Sequence, residues 1–129
     1  MPNYWKVSTL RVVQHHKTNI LGGFGTLLYS FTSNSKRPFK INQIEVFDVY
    51  VKIGKKKVPV NPSDILFNST TNKMSLLFNN RKWGIKYAGT FVLEFSYKRK
   101  ESDVVEKYRE VLKFVPFNSP RDKWDKKKH

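Results

Sequence analysis

Between residues 44 and 60 the chain reads IEVFDVYVKIGKKKVPV, and within it Phe47, Val49, Val51 and Ile53 fall at alternate positions. Alternate side chains of an extended backbone share a face, so these four line one side of a strand and Asp48, Tyr50 and Lys52 the other. Gly54 supplies the backbone freedom of a tight reversal, Lys55, Lys56 and Lys57 keep the turn in water, and Val58 and Val60 resume the alternation. The segment predicts a β-hairpin.

The same period of two recurs at Leu27, Tyr29 and Phe31, at Met74, Leu76 and Phe78, and most cleanly at Phe91, Leu93, Phe95 and Tyr97. Residues 6–14 (KVSTLRVVQ) mix β-branched and polar positions as a first strand, with Leu10 and Val12 on one face and Val7 and Val13 on the other. Residues 65–67 predict a strand fragment and residues 108–117 a last strand. Turn chemistry separates these runs: Gly22, Gly23 and Gly25, then Ser33-Asn34-Ser35, then Asn61-Pro62-Ser63-Asp64, then residues 68–72. Trp83, Ile85 and Tyr87 stand in a connection that fits either extended chain or a single helical turn, and residues 98–107 read as an exposed loop. Short strands, frequent turns and no helical period predict an all-β fold, an antiparallel β-sandwich spanning residues 1–117 as one domain. Phe47, Val49, Val51, Phe91, Leu93 and Phe95 are expected to meet in its core, and residues 118–129 to form a basic C-terminal tail that a partner orders.

Charge changes the picture more than composition does. Lys and Arg outnumber Asp and Glu by 25 to 10 over 129 residues, a formal +15, where a magnitude of about 2 to 8 already serves solubility in a small domain. Such self-repulsion points to a polyanion or an acidic partner. The chain has no Cys, which excludes disulfides and thiolate metal sites and suits an intracellular or virion-interior setting. The opening MPNYWKVSTL lacks the blocks of a secretory signal and no apolar run approaches the roughly 20 residues of a membrane helix, so no membrane insertion is expected.

Candidate chemistry is sparse. His15 and His16 are adjacent and point to opposite faces of a strand, which argues against a shared metal. Glu45 and Asp48 lie on opposite strand faces and Asp103 and Glu106 in the charged loop, so no carboxylate pair is set for acid–base work, and no enzyme and no cofactor are expected. Basic residues interleaved with aromatics remain: Lys36 and Arg37 beside Phe39, Arg81 and Lys82 beside Trp83, and Lys86 beside Tyr87. Lys98, Arg99 and Lys100 follow Tyr97, and Lys126, Lys127 and Lys128 follow Trp124. With Lys55, Lys56 and Lys57 these cations are the candidate contacts to nucleic acid or an acidic partner, Trp83 and Trp124 being the aromatics in polar surroundings. Phe39, Tyr87 and Tyr97 are expected in the core.

From residue 26 onward the order is a strand with TLLYSFTSN, a Pro-containing connector, IEVFDVYVKIGKKKVPV, a turn, NKMSLLF, YAGTFVLEFSYK and a closing YREVLKFVPF. This order, with the Ala88-Gly89 step, resembles the immunoglobulin-like N-terminal domain of phage baseplate upper proteins over residues 26–117; no fibre-forming region follows here. The resemblance implies a non-enzymatic structural component of a tailed-phage virion, docking on capsid, portal or tail protein with a basic face towards packaged DNA. Its partners would be viral structural proteins and DNA phosphates, with homo-oligomers compatible, and its location the virion, after host cytoplasm during assembly. The alternative is a stand-alone single-strand binder on a small β-barrel, with aromatics as a stacking platform.

Overall fold

The computed structural model describes residues 10–16, 20–22 and 24–116. In chain order the elements are β1 (Arg11–Gln14), β2 (Ile20–Leu21), β3 (Phe24–Thr32), β4 (Ile44–Ile53), β5 (Lys56–Pro59), β6 (Ile65–Asn68), β7 (Lys73–Asn79), a helical turn α1 (Asn80–Trp83), β8 (Gly89–Arg99) and β9 (Glu106–Phe114). One sheet has the order β1-β3-β7-β6 and the other β2-β9-β8-β4-β5. Among the described residues, no helix is long and apolar enough to cross a membrane. The predicted tail, residues 118–129, lies outside the described residues.

The fold is all-β as expected, but the second sheet is mixed rather than antiparallel. β2 runs parallel to β9, with Ile20 opposite Lys113 and Leu21 opposite Phe114. Between β1 and β2 the chain leaves the first sheet for the second and reaches β9 running in its direction. A two-residue strand carries no alternation, so the glycine-rich stretch beside it reads as loop in the sequence.

Alternation elsewhere does what it predicts. Leu27, Tyr29 and Phe31 of β3, and Met74, Leu76 and Phe78 of β7, are buried in one cluster with Val49 and Val51 of β4, Phe91, Leu93, Phe95 and Tyr97 of β8, and Leu112 and Phe114 of β9. Rings meet across the two sheets: Tyr29 on Phe95 at 5.8 Å, Phe31 on Tyr97 at 5.6 Å, Phe78 on Phe91 at 5.7 Å between centroids. The sheets therefore face one another over a shared core.

Phe47 is a correction, since it is 37% exposed instead of joining that core. Phe47 pairs with Ser96 and Tyr50 with Glu94, so Asp48 and Val49 together face the single residue Phe95, and Asp48 takes φ +55°. This β-bulge inserts one residue and inverts the phase of the strand. Ile44 and Val46 pack inward before it, and Val49, Val51 and Ile53 after it, which leaves Phe47 outside.

The hairpin closes on the two residues Gly54 and Lys55, with Ile53 opposite Lys56 and φ +63° at Gly54, as mirror-image hairpin turns require. Lys56 and Lys57 accordingly stand in β5. At the same end of the molecule the undecided connection is a helical turn. The Asn79 side chain caps it by accepting from the amides of Arg81 at 3.0 Å and Lys82 at 3.5 Å, and Gly84 ends it at φ +73°. That turn swings Trp83 inward and leaves Tyr87, expected in the core, exposed. Phe39 and Tyr97 do pack on the core.

Candidate polyanion-binding face

The cations that stand in runs along the sequence are parted by the fold. β8 spans the molecule, roughly 33 Å for its eleven residues. At its Gly89 end are Lys55, Lys56, Arg81 and Lys82; the Lys56 Nζ lies 4.0 Å from where a Cβ on Gly84 would be, and Lys82 Nζ is 3.2 Å from Asp64 Oδ1. At its Arg99 end are Lys36, Arg37, Arg99 and Lys100: the Lys100 amide donates to Gln43 O at 2.9 Å, and the Arg99 guanidinium lies 5.8 Å from the Phe39 ring centroid. Lys98 is occupied with the loop after β8, donating to the carbonyls of Arg99, Lys100 and Ser102 and lying 3.3 Å from Glu45.

Trp83 stands in the core and not on the surface. It is 2% exposed, with its ring edge-on to Phe78 at 4.8 Å and to Phe91 at 5.8 Å. The reason is the Asn79 cap: one helical turn rotates the indole from the polar surroundings it has in sequence into the end of the core. Trp124, Lys126, Lys127 and Lys128 lie outside the described residues.

A further basic surface comes from strand register. On the outward face of the five-stranded sheet, pairing aligns Pro59, Tyr50, Glu94 and Arg109 in one row, and Lys57, Lys52, Val92 and Val111 in the next. Phe47, Ser96 and Lys107 form a row on the other side, and Lys113 stands opposite Thr90 further along β9. Lys52, Lys57, Lys107, Arg109 and Lys113 thus share one face, although three strands supply them. Of these only Lys57 lies in a basic run of the sequence. The legible signal for three of the others is the alternation in EKYREVLKF, which sends Lys107, Arg109 and Lys113 outward as Tyr108, Leu112 and Phe114 turn inward.

At the centre of this face lies Tyr50, 3% exposed although it belongs to no core contact. Lys57 Nζ sits 4.0 Å and Lys107 Nζ 5.6 Å from its ring centroid, a cation–π arrangement in which the lysines cover the ring. Its hydroxyl donates to Glu94 Oε1. Lys52 Nζ is 3.6 Å and Arg109 Nε 3.7 Å from the same carboxylate. The Tyr50 hydrogen bond first, then Lys52, Lys107 and Arg109, hold the Glu94 carboxyl below the usual range against the opposing effect of burial. Tyr50 in turn, with Glu94 and Asp48, raises the Lys107 ammonium, which therefore stays charged at neutral pH.

A second carboxylate, missed in the sequence, is buried on the inward side of the sheet. Glu110 accepts from Tyr29 Oη at 2.7 Å, Tyr108 Oη at 3.2 Å and Gln14 Nε2 at 2.9 Å, and His16 Nε2 lies 2.9 Å away. His15 turns elsewhere, its Nε2 2.6 Å from Ser30 Oγ. Donation to Glu110 places the His16 proton on Nε2, leaving the buried Nδ1 without a partner among the described residues. Burial first, then the Glu110 charge, pushes both tyrosine hydroxyls up, so they stay protonated donors. The cluster ties the end of β1 to β9 where the chain changes sheets. Among the described residues no three His, Asp or Glu are placed to hold a metal. The chain matches no protein-family model, and no curated protein matches it.

Proposed function

We propose that this protein is a non-enzymatic structural component of a tailed-phage virion, an immunoglobulin-like β-sandwich that docks on capsid, portal or tail protein and turns a basic sheet face to packaged DNA. The sheet orders support the fold reading: β1-β3-β7-β6 follows the A-B-E-D order of immunoglobulin domains, and β9-β8-β4-β5 the G-F-C sheet with one added strand. The virion setting, with viral structural proteins as partners, rests on the resemblance over residues 26–117. The observation that carries the DNA-facing role is the sheet face on which Lys52, Lys57, Lys107, Arg109 and Lys113 converge.

Phosphates bind such a face through charge, and no recognition helix is present among the described residues to read bases. Phosphate contact is favoured over base stacking because the rings of Trp83 and Tyr50 are both covered, one by the core and the other by lysine stems. The test is a salt titration of the full chain with duplex and single-stranded oligonucleotides of several sequences. Binding to duplex is expected regardless of sequence, falling by about 10²- to 10³-fold between 50 and 200 mM salt if four or five phosphates are neutralised. No binding at low salt overturns the DNA-facing role. Tight, salt-resistant binding to single strands supports the stacking alternative instead.

A further inference from the structure

Glu94 is an anion among the cations Lys52, Lys57, Lys107, Arg109 and Lys113 on the outward face of the five-stranded sheet. It is 7% exposed, whereas the two cations drawn to it reach solvent: the side chains of Lys52 and Arg109 are 49% and 62% exposed. Their heads can turn outward to another anion, but the Glu94 carboxylate, anchored to Tyr50 in the middle of β8, cannot follow. Lys113, on the same face, makes no ion pair among the described residues.

We infer that Glu94 is a built-in substitute for a bound phosphate, holding Lys52 and Arg109 to itself and so limiting the strength with which this face grips a polyanion. The inference rests on the reading of the face as a polyanion site and adds its regulation. A phosphate that draws Lys52 and Arg109 outward leaves Glu94 buried with the Tyr50 hydroxyl and the charge of Lys107, without its two ion-pair partners, and an under-compensated buried charge opposes that move. Lys52 and Arg109 therefore count for less than a full phosphate contact each, and Lys113 for a whole one.

The experiment compares salt slopes of duplex binding for the full chain, Glu94→Gln, and the cation variants Lys52→Gln, Arg109→Gln and Lys113→Gln in both backgrounds. Glutamine keeps an acceptor for Tyr50 and removes only the charge. Glu94→Gln is expected to bind several-fold more tightly near 100 mM salt, with a slope steeper by about 1 to 2, each freed cation adding about 0.9. Lys113→Gln is expected to reduce the slope by about 0.9 in either background, and Lys52→Gln or Arg109→Gln by clearly less unless Glu94 is already replaced. Equal slopes for a folded Glu94→Gln, or equal losses from Lys52→Gln and Lys113→Gln in the original background, overturn the inference; the second comparison stands even if Glu94→Gln does not fold. Elution from a heparin column separates the two readings. Later elution of Glu94→Gln from heparin by a chain that does not bind duplex upholds the role of Glu94 and removes DNA as the partner.

Discussion

Leu93 and Phe47 carry the same signal in the sequence, an apolar side chain on an alternating strand, and opposite positions in the molecule. Leu93 is fully buried between the sheets, so Leu93→Ala is expected to cost about 2 to 4 kcal/mol of unfolding free energy through lost burial and the cavity left behind. Phe47→Ala, on the outward face just before the bulge, is expected to stay within about 1 kcal/mol, since the ring lies outside the core cluster. Urea unfolding of the two variants checks both, and a comparable loss for Phe47→Ala contradicts the bulge. Trp83→Ala should approach the cost of a core aromatic, about 3 to 5 kcal/mol, with loss of the near-ultraviolet circular dichroism of a fixed indole. Within NNRKWG the one local sign of a buried indole is the helical turn that Asn79 caps and Gly84 ends.

Elements were legible where their period ran unbroken. β3, β7 and β8 follow from alternation alone, because every second residue must find the same side of a pleated strand. β4 was legible as a strand but not in phase, since one inserted residue at Asp48 exchanges its faces. The helical turn depends on its cap: Asn79→Ala removes the acceptor for two amides and is expected to cost about 1 kcal/mol, measured as a lower urea midpoint with an unchanged slope. Gly54→Ala forces a Cβ into a left-handed conformation with open space around it, so backbone strain alone sets its cost, about 1 kcal/mol. A larger loss from Gly54→Ala points to contacts the hairpin turn does not have.

Across the whole molecule, titration should limit stability at both ends of the pH scale. Tyr29 is raised far above its ordinary value by burial and Glu110, so above pH 10 the unfolded chain releases a proton that the folded chain keeps. Its contribution is complete below pH 10 and is lost above it, at about 1.4 kcal/mol per pH unit, with Tyr97 and Tyr108 acting in the same direction. Urea midpoints that fall from pH 9 to 11, and fall less steeply in Tyr29→Phe, are the expected result. Glu94 acts in the opposite sense: its depressed carboxyl adds stability above the ordinary carboxylate range that is lost as pH falls. Deleting residues 118–129, which carry Lys126, Lys127 and Lys128, is expected to leave the unfolding midpoint unchanged and to flatten the salt slope of DNA binding by up to about 3.

What the chain determines on its own is whatever depends on near neighbours: strands where apolar residues alternate, turns at glycine and asparagine, and an all-β class, together with an excess of positive charge. The tertiary structure alone decided which cations stand together. Runs such as Lys55 to Lys57 and Lys98 to Lys100 are divided between two ends of the molecule, while Lys52, Lys57, Lys107, Arg109 and Lys113 become neighbours through the pairing of β4 with β5 and of β8 with β4 and β9. The burial of Glu94 beneath them, and of Glu110 against Tyr29, Tyr108, Gln14 and His16, was likewise decided by register. The physical reason is range: alternation and turn chemistry act over a few residues, whereas a charge responds to whatever stands within several ångströms, and in a sheet those neighbours come from distant parts of the chain.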